Sequence, residues 1–155
     1  MLLAACDSPS SQPAAVVDPA AISDTIRTVV KAFVDGWSKI SCENQDAVLR
    51  FYDLSDPGFI DDNETSVVLF PGDSLPRTIK AFACQESESA TLDSLLVRVL
   101  APDVATASWT YHTTYRSTAG ASRSVRGTVL QVFKRSPAPW RFPVAMSTHV
   151  PISPP

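Results

Sequence analysis

Two histidines, three cysteines and three tyrosines are the side chains of this 155-residue chain with the most chemistry to offer. Their spacing narrows the choices. The sequence carries no Ser/His/Asp or Cys/His nucleophile signature, no glycine-rich phosphate loop and no paired metal carboxylates. Cys6, Cys42 and Cys84 form no CxxC pair, and no histidine stands at a zinc-ligand spacing. No metal and no cofactor is therefore expected. Asp61 shares a strand face with Phe59, which makes it the carboxylate best placed for a pocket. The same residue also reads as a turn aspartate solvated beside Asp62, Asn63 and Glu64. Tyr52, Trp109, Tyr111 and Tyr115 either line a cavity, with hydroxyl donors at hand, or fill a core with only their polar tips outward. His149 lies near a strand end, as a rim residue rather than a base, and His112 on the face expected to meet a second copy, in an interface role rather than a catalytic one.

Positioning these groups requires helices first and a sheet after. Asp18 is a good N-cap, and Pro19 suits the first helical position. Apolar residues then recur with helical period at Ile22, Ile26, Val29, Val30, Phe33, Val34, Trp37 and Ile40. A short second helix is expected over Gln45–Tyr52. Two short strands follow at Phe59–Asp62 and Ser66–Phe70, then a third helix with Pro76 in its first turn and Leu75, Ile79 and Phe82 on one side. Four long strands are expected at about Thr91–Leu100, Val104–Ser117, Ser122–Lys134 and Trp140–Val150. Links as short as Ala101-Pro-Asp103 join antiparallel neighbours, which gives a meander with helices on one face and an α+β class.

Alternation assigns the faces. Ala105, Ala107, Trp109, Tyr111, Thr113 and Tyr115 share one side of the second long strand, and Thr106, Ser108, Thr110, His112, Thr114 and Arg116 the other. On the last strand the same count turns Phe142, Val144 and Met146 inward. The segment Leu92–Leu100 is apolar on both faces, and helices cover only one of them. A second copy of the sheet is the simplest cover, so a homodimer is expected.

Composition bounds the partners. Hydrophobic residues make up 45% and charged residues 19%, with a net charge of −3, so there is a core to bury but no basic field for nucleic acid. Arg116, Arg123, Arg126, Lys134, Arg135 and Arg141 sit at strand spacing, as the solvated edges of a sheet. No apolar run reaches the length of a membrane helix.

The N-terminus resembles a bacterial lipoprotein signal. Leu3-Ala4-Ala5-Cys6 is similar to a lipobox, whose cysteine is lipidated after cleavage, although only Met1-Leu2 precede it. Asp7-Ser-Pro-Ser-Ser-Gln-Pro-Ala-Ala reads as a flexible tether. That resemblance implies a lipid anchor at Cys6, a periplasmic location and, from Asp7, retention at the inner membrane. It also leaves Cys42 and Cys84 in an oxidising compartment, either bridged or as two separate buried thiols. The expected division is a truncated signal and tether over 1–17, one domain over 18–150 and a short tail over 151–155.

From about Asp18 to His149 the order of elements resembles the nuclear transport factor 2-like superfamily, in its SnoaL-like branch. The resemblance rests on "FYDLSDPGFIDD" after the second helix, "LAPDVATASWTYHTTY" entering the second long strand, and "VRGTVLQVFKRSPAPWRF" leading to the last. It implies three N-terminal helices packed on a strongly curved, mostly antiparallel sheet, a cystatin-like cone with a pocket at its open end. Residues expected to line that pocket are Phe33, Trp37, Phe59, Trp109, Tyr115, Phe142 and Met146. Enzymes of this fold pair an Asp or His base with a Tyr or Asp donor. Here Asp61 would be the base and Tyr52 or Tyr111 the donor in an isomerase, cyclase or dehydratase. Many SnoaL-like chains carry two histidines on the last strand, where this one places Val144 and Met146. That difference favours a tethered domain that binds a small apolar ligand or a protein partner without catalysis.

Overall fold

The computed structural model describes residues 18–55, 59–63, 66–70, 74–135 and 139–152; from 59 to 70, and at 144, it describes the backbone alone. The lipobox with Cys6 and Asp7, and the tether after it, lie outside the described residues. Helix α1 spans Pro19–Trp37, and its first turn is capped by Asp18, whose Oδ1 accepts from the Ala20 N–H at 2.9 Å. Ile22, Ile26, Val30, Phe33 and Val34 form its buried stripe. At its far end the Ser38 hydroxyl accepts from the Ala90 N–H at 3.0 Å, fastening helix to sheet.

Helix α2 is shorter than expected, Asp46–Leu49. The chain leaves the helix early because its backbone is taken up elsewhere. The Phe142 N–H donates to the Phe51 carbonyl at 3.0 Å, and the Asp53 N–H to the Phe142 carbonyl at 3.2 Å. The expected hairpin forms as β1, Phe59–Asn63, and β2, Ser66–Phe70, and α3 follows over Ser74–Ala83. The long strands are β3 (Glu86–Ala101), β4 (Val104–Ser117), β5 (Ser122–Arg135) and β6 (Trp140–Pro151). They lie in one six-stranded sheet of order β2-β1-β6-β5-β4-β3, antiparallel except where β1 runs parallel to β6. The fold is α+β, with helices on one face of a curved sheet.

Two irregularities decide which side chains face inward. On β3 the register slips between Leu92 and Ser94, so Asp93 is an extra residue opposite β4. A bulge reverses the alternation beyond it. Leu92, Leu95, Val97 and Val99 therefore pack on the core, while Leu96 and Leu100 are left 54% and 63% exposed. That is the physical origin of the segment that reads as apolar on both faces.

On β6 the register steps from Val144 to Arg141 while β5 advances only from Val132 to Lys134. Pro143 has no N–H to donate to the ladder, and bulges are where strands tolerate proline. Beyond it the inward residues are Ala145, Ser147 and His149, and Met146 is turned outward. This corrects the face assignment made by simple alternation.

Phe33 organises the core. Its ring meets Trp37, Phe51, Tyr52, Trp109 and Phe142 edge-on, at centroid distances between 5.1 and 6.2 Å. Such edge-to-face contacts add to the stabilisation from burial alone. A disulfide joins Cys42, in the turn after α1, to Cys84, directly after α3.

Candidate functional site

A cavity of about 290 Å³ lies between α1, α3 and the inner face of the long strands. Helix α1 supplies Phe33, Val34 and Trp37, and α3 supplies Leu75, Thr78, Ile79 and Phe82. The sheet contributes Glu88 and Ala90 from β3, Trp109, Tyr111 and Tyr115 from β4, Val129 and Gln131 from β5, and Ala145, Ser147 and His149 from β6. Tyr52 completes the wall. Among these described residues there is no lysine or arginine, and Glu88 is the one carboxylate.

Glu88 is the group that sequence reasoning missed. It stands opposite Tyr115 in the β3–β4 ladder and faces the helices. The hydroxyl of Thr113, itself 1% exposed, donates to Glu88 Oε1 at 3.0 Å, with the Ser89 carbonyl at 3.1 Å as a second acceptor. Burial among apolar rings raises the Glu88 carboxyl to about 7, against the opposing pull of the Thr113 hydroxyl and the Arg123 charge; Glu86 nearby pushes it further up. Arg123 itself bonds Glu86 at 2.9 Å and stacks over the Tyr115 ring at 4.0 Å.

The opposite wall is set by a glycine. A Cβ at Gly127 would stand 2.4 Å from the Thr148 carbonyl oxygen and 2.6 Å from the Tyr111 ring. Only glycine leaves that space, and the Tyr111 ring uses it to meet His149 edge-on at 5.7 Å. Deeper, Gln131 is buried and its side-chain oxygen accepts from the Trp109 indole N–H at 3.0 Å, which fixes the indole against β5.

The expected site residues separate into groups. Phe33, Trp37, Tyr52, Trp109, Tyr111 and Tyr115 come together in the cavity wall. Phe142 is fully buried but lies behind the wall, packed on Phe33 and Tyr52. Met146 is 47% exposed on the opposite face of the sheet, because the Pro143 bulge turns it outward, so its expected place in the pocket is corrected. Asp61 pairs in register with Ala145, and its side chain, like that of Phe59, lies outside the described residues. His149, expected at a rim, stands in the wall beside Ser147. His112 bonds Asp93 at 2.7 Å on the outer face. Pro143 was the available signal for the reversal on β6; for Glu88, within Glu86-Ser-Glu-Ser89, the pattern offered none.

No protein-family model matches the sequence, and no curated protein is similar to it by sequence. Solved structures are similar in fold. A nuclear transport factor 2-like superfamily protein from Salmonella enterica serovar Typhimurium superposes with a TM-score of 0.71 at 12% identity, over 88% of this chain and 95% of that one. An uncharacterised protein with a cystatin-like fold from Caulobacter vibrioides gives 0.64 at 18% identity, over 82% and 88%. A hexachlorocyclohexane dehydrochlorinase, LinA type 2, gives 0.67 at 8% identity, over 86% and 90%. With the order of its elements, its six-stranded sheet and its helix-covered cavity, this chain has the nuclear transport factor 2-like fold.

Proposed function

We propose that this chain is a small-molecule binding domain whose cavity takes a compact, largely apolar ligand bearing one polar group. The observation that carries this reading is the cavity itself, about 290 Å³ and lined by Phe33, Trp37, Tyr52, Phe82, Trp109, Tyr111 and Tyr115 around a few polar groups. That is the low end of ligand-site size and the usual composition of such sites. Because Trp37 and Trp109 line the cavity, titration with phenethyl alcohol or 2-naphthol is expected to change tryptophan emission saturably. A linear, non-saturating response would sink the reading.

A second reading is proton-transfer catalysis of the isomerase or dehydratase kind. It is favoured by Glu88, whose carboxyl near neutrality suits a general base, with Tyr52, Tyr111 and His149 in the same cavity as donors. One of the structures of this fold bears the name of a dehydrochlorinase. Turnover of a candidate substrate that is lost in Glu88→Gln at unchanged ligand affinity decides for this reading, and equal turnover decides against it.

We propose further that the domain is lipid-anchored through Cys6 at the periplasmic face of the inner membrane and pairs as a homodimer. The Cys42–Cys84 disulfide supports an oxidising compartment. The dimer reading is supported by a row of register partners across the outer face, Leu96, Ser108, Leu130 and Met146. Three of these four are large, exposed apolar side chains. Leu130→Glu is expected to halve the mass measured by light scattering, and palmitate labelling is expected to vanish in Cys6→Ser.

A further inference from the structure

We infer that the ligand of this cavity is an organic cation, an arylalkylammonium or quaternary ammonium of about phenethylamine size, held by Glu88 as counter-ion within a cage of aromatic rings. The inference rests on the binding reading above and names the chemical class of its ligand.

Charge is the first argument. A carboxylate taken out of water needs a partner of opposite sign or a proton. Among the described residues lining this cavity, Glu88 has no lysine or arginine beside it. Thr113 supplies a single hydrogen bond. Arg123, the guanidinium whose charge acts on Glu88, is ion-paired to Glu86 and stacked on Tyr115 rather than placed in the cavity lining. An ionised Glu88 thus leaves the cavity with one negative charge to be answered from inside. An anionic ligand would meet like charge, and a neutral one would leave the carboxylate to be answered by a proton, which it gives up above about pH 7.

The rings are the second argument. Cations are drawn to aromatic faces, to tryptophan most strongly, and quaternary ammonium groups are bound by aromatic cages. Trp37, Trp109, Tyr111 and Tyr115 line the same space as the carboxylate. Tyr115 already carries a cation, since Arg123 lies 4.0 Å over its ring. Acid and rings converge from different elements, with Trp37 on the helix and the others on the sheet, so the pairing is a property of the fold rather than of one segment.

Calorimetric and tryptophan-emission titrations at about pH 8 with phenethylammonium, benzyltrimethylammonium, phenethyl alcohol and phenylpropionate provide the test. Both cations are expected to bind about tenfold or more tightly than the isosteric alcohol, and the anion more weakly than all three. Glu88→Gln, checked for folding by circular dichroism, is expected to lose that preference while binding the alcohol within about twofold of the parent. Benzyltrimethylammonium keeps its charge at every pH, so its affinity is expected to rise between about pH 6 and pH 8 as the carboxyl ionises. The charged groups that act on that carboxyl are Glu86 on β3 and Arg123 on β5, and the titratable groups that share its cavity lining are Tyr52, Tyr111 and Tyr115 with His149 on β6; α1 and α3 bring only uncharged side chains to the lining. The rise is expected to vanish in Glu88→Gln and to persist in His149→Asn. Alcohol binding as tight as that of the cations, or cation binding unchanged in Glu88→Gln, overturns the inference and leaves the cavity as a site for neutral ligands. If none of the four probes binds, the binding reading falls with it.

Discussion

Thr113 reaches across the β3–β4 ladder to donate its hydroxyl to Glu88 Oε1 at 3.0 Å, from a position itself 1% exposed. That bond stabilises the ionised carboxylate, whereas burial destabilises it, and burial wins because the Glu88 carboxyl rises to about 7. The consequence for stability has a definite sign. Below the ordinary glutamate range the carboxyl is protonated in both folded and unfolded chains and costs nothing. Between about 4.5 and 7 the folded chain keeps a proton that the unfolded chain has released, so stability falls as pH rises. Above about 7 the loss is complete, at about 2 kcal/mol once partial solvent access is allowed for. Glu88→Gln is therefore expected to be the more stable protein at alkaline pH and no better at acid pH, by urea denaturation. A variant less stable than the parent across the whole range would contradict this account. Thr113→Val removes the opposing hydrogen bond and is expected to move the transition to higher pH.

Gly127 makes room for the Tyr111–His149 contact. A methyl group there would stand 2.4 Å from a backbone oxygen and 2.6 Å from the Tyr111 ring, closer than packed atoms allow. Neither neighbour is the free end of a flexible chain. Gly127→Ala is expected to destabilise the fold by about 2 kcal/mol or more, as overpacked sites do. It is also expected to weaken ligand binding, because the ring it displaces is part of the cavity wall. Unchanged stability and binding would show that β5 and β6 can separate at this point without loss.

These relationships differ in how far they can be read from sequence, for physical reasons. The bounds of β4, Val104–Ser117, agree with the alternation because every second residue from Ala105 to Thr113 is buried. The apolar pattern starts β3 at Thr91 instead of Glu86 because Glu-Ser-Glu-Ser carries no apolar period; its strand character comes from pairing with the far end of β4, Glu86 opposite Ser117. Glu88 was hidden for the same reason, since an inward-facing carboxylate looks like an outward-facing one until the cavity is built around it. The last strand was legible up to Pro143 and reversed beyond it. Parallel pairing of β1 with β6 depends on two segments some 80 residues apart in sequence, which no local pattern encodes.

Gln131 and Trp109 are a buried donor–acceptor pair, joined at 3.0 Å between neighbouring strands. Gln131→Leu keeps the approximate volume and removes the acceptor, leaving the indole N–H without its partner in an apolar site. A cost of about 1–3 kcal/mol is expected, read by chemical denaturation. Trp109 lines the cavity, so its emission is expected to shift as the indole loses its fixed orientation. A shift in emission without loss of stability would mean that the indole finds another acceptor.

The disulfide ties the helical wall of the cavity to the rest of the fold. Cys84 follows directly on α3, which contributes Leu75, Thr78, Ile79 and Phe82 to the lining, and its partner Cys42 lies in the turn between α1 and α2. The bond closes a separation of 42 residues, for which chain entropy gives about 4 kcal/mol. Cys42→Ser with Cys84→Ser is expected to lower the melting temperature markedly and to give the same value with or without reductant, whereas the parent is expected to fall towards it when reduced. Ligand affinity is expected to drop along with it, since α3 loses its covalent hold on the α1–α2 turn while the strands that carry Glu88 and Thr113 keep their ladder. A double variant that melts lower but binds as before would show that packing of Phe82 on Trp37 and Tyr115 holds α3 over the cavity by itself.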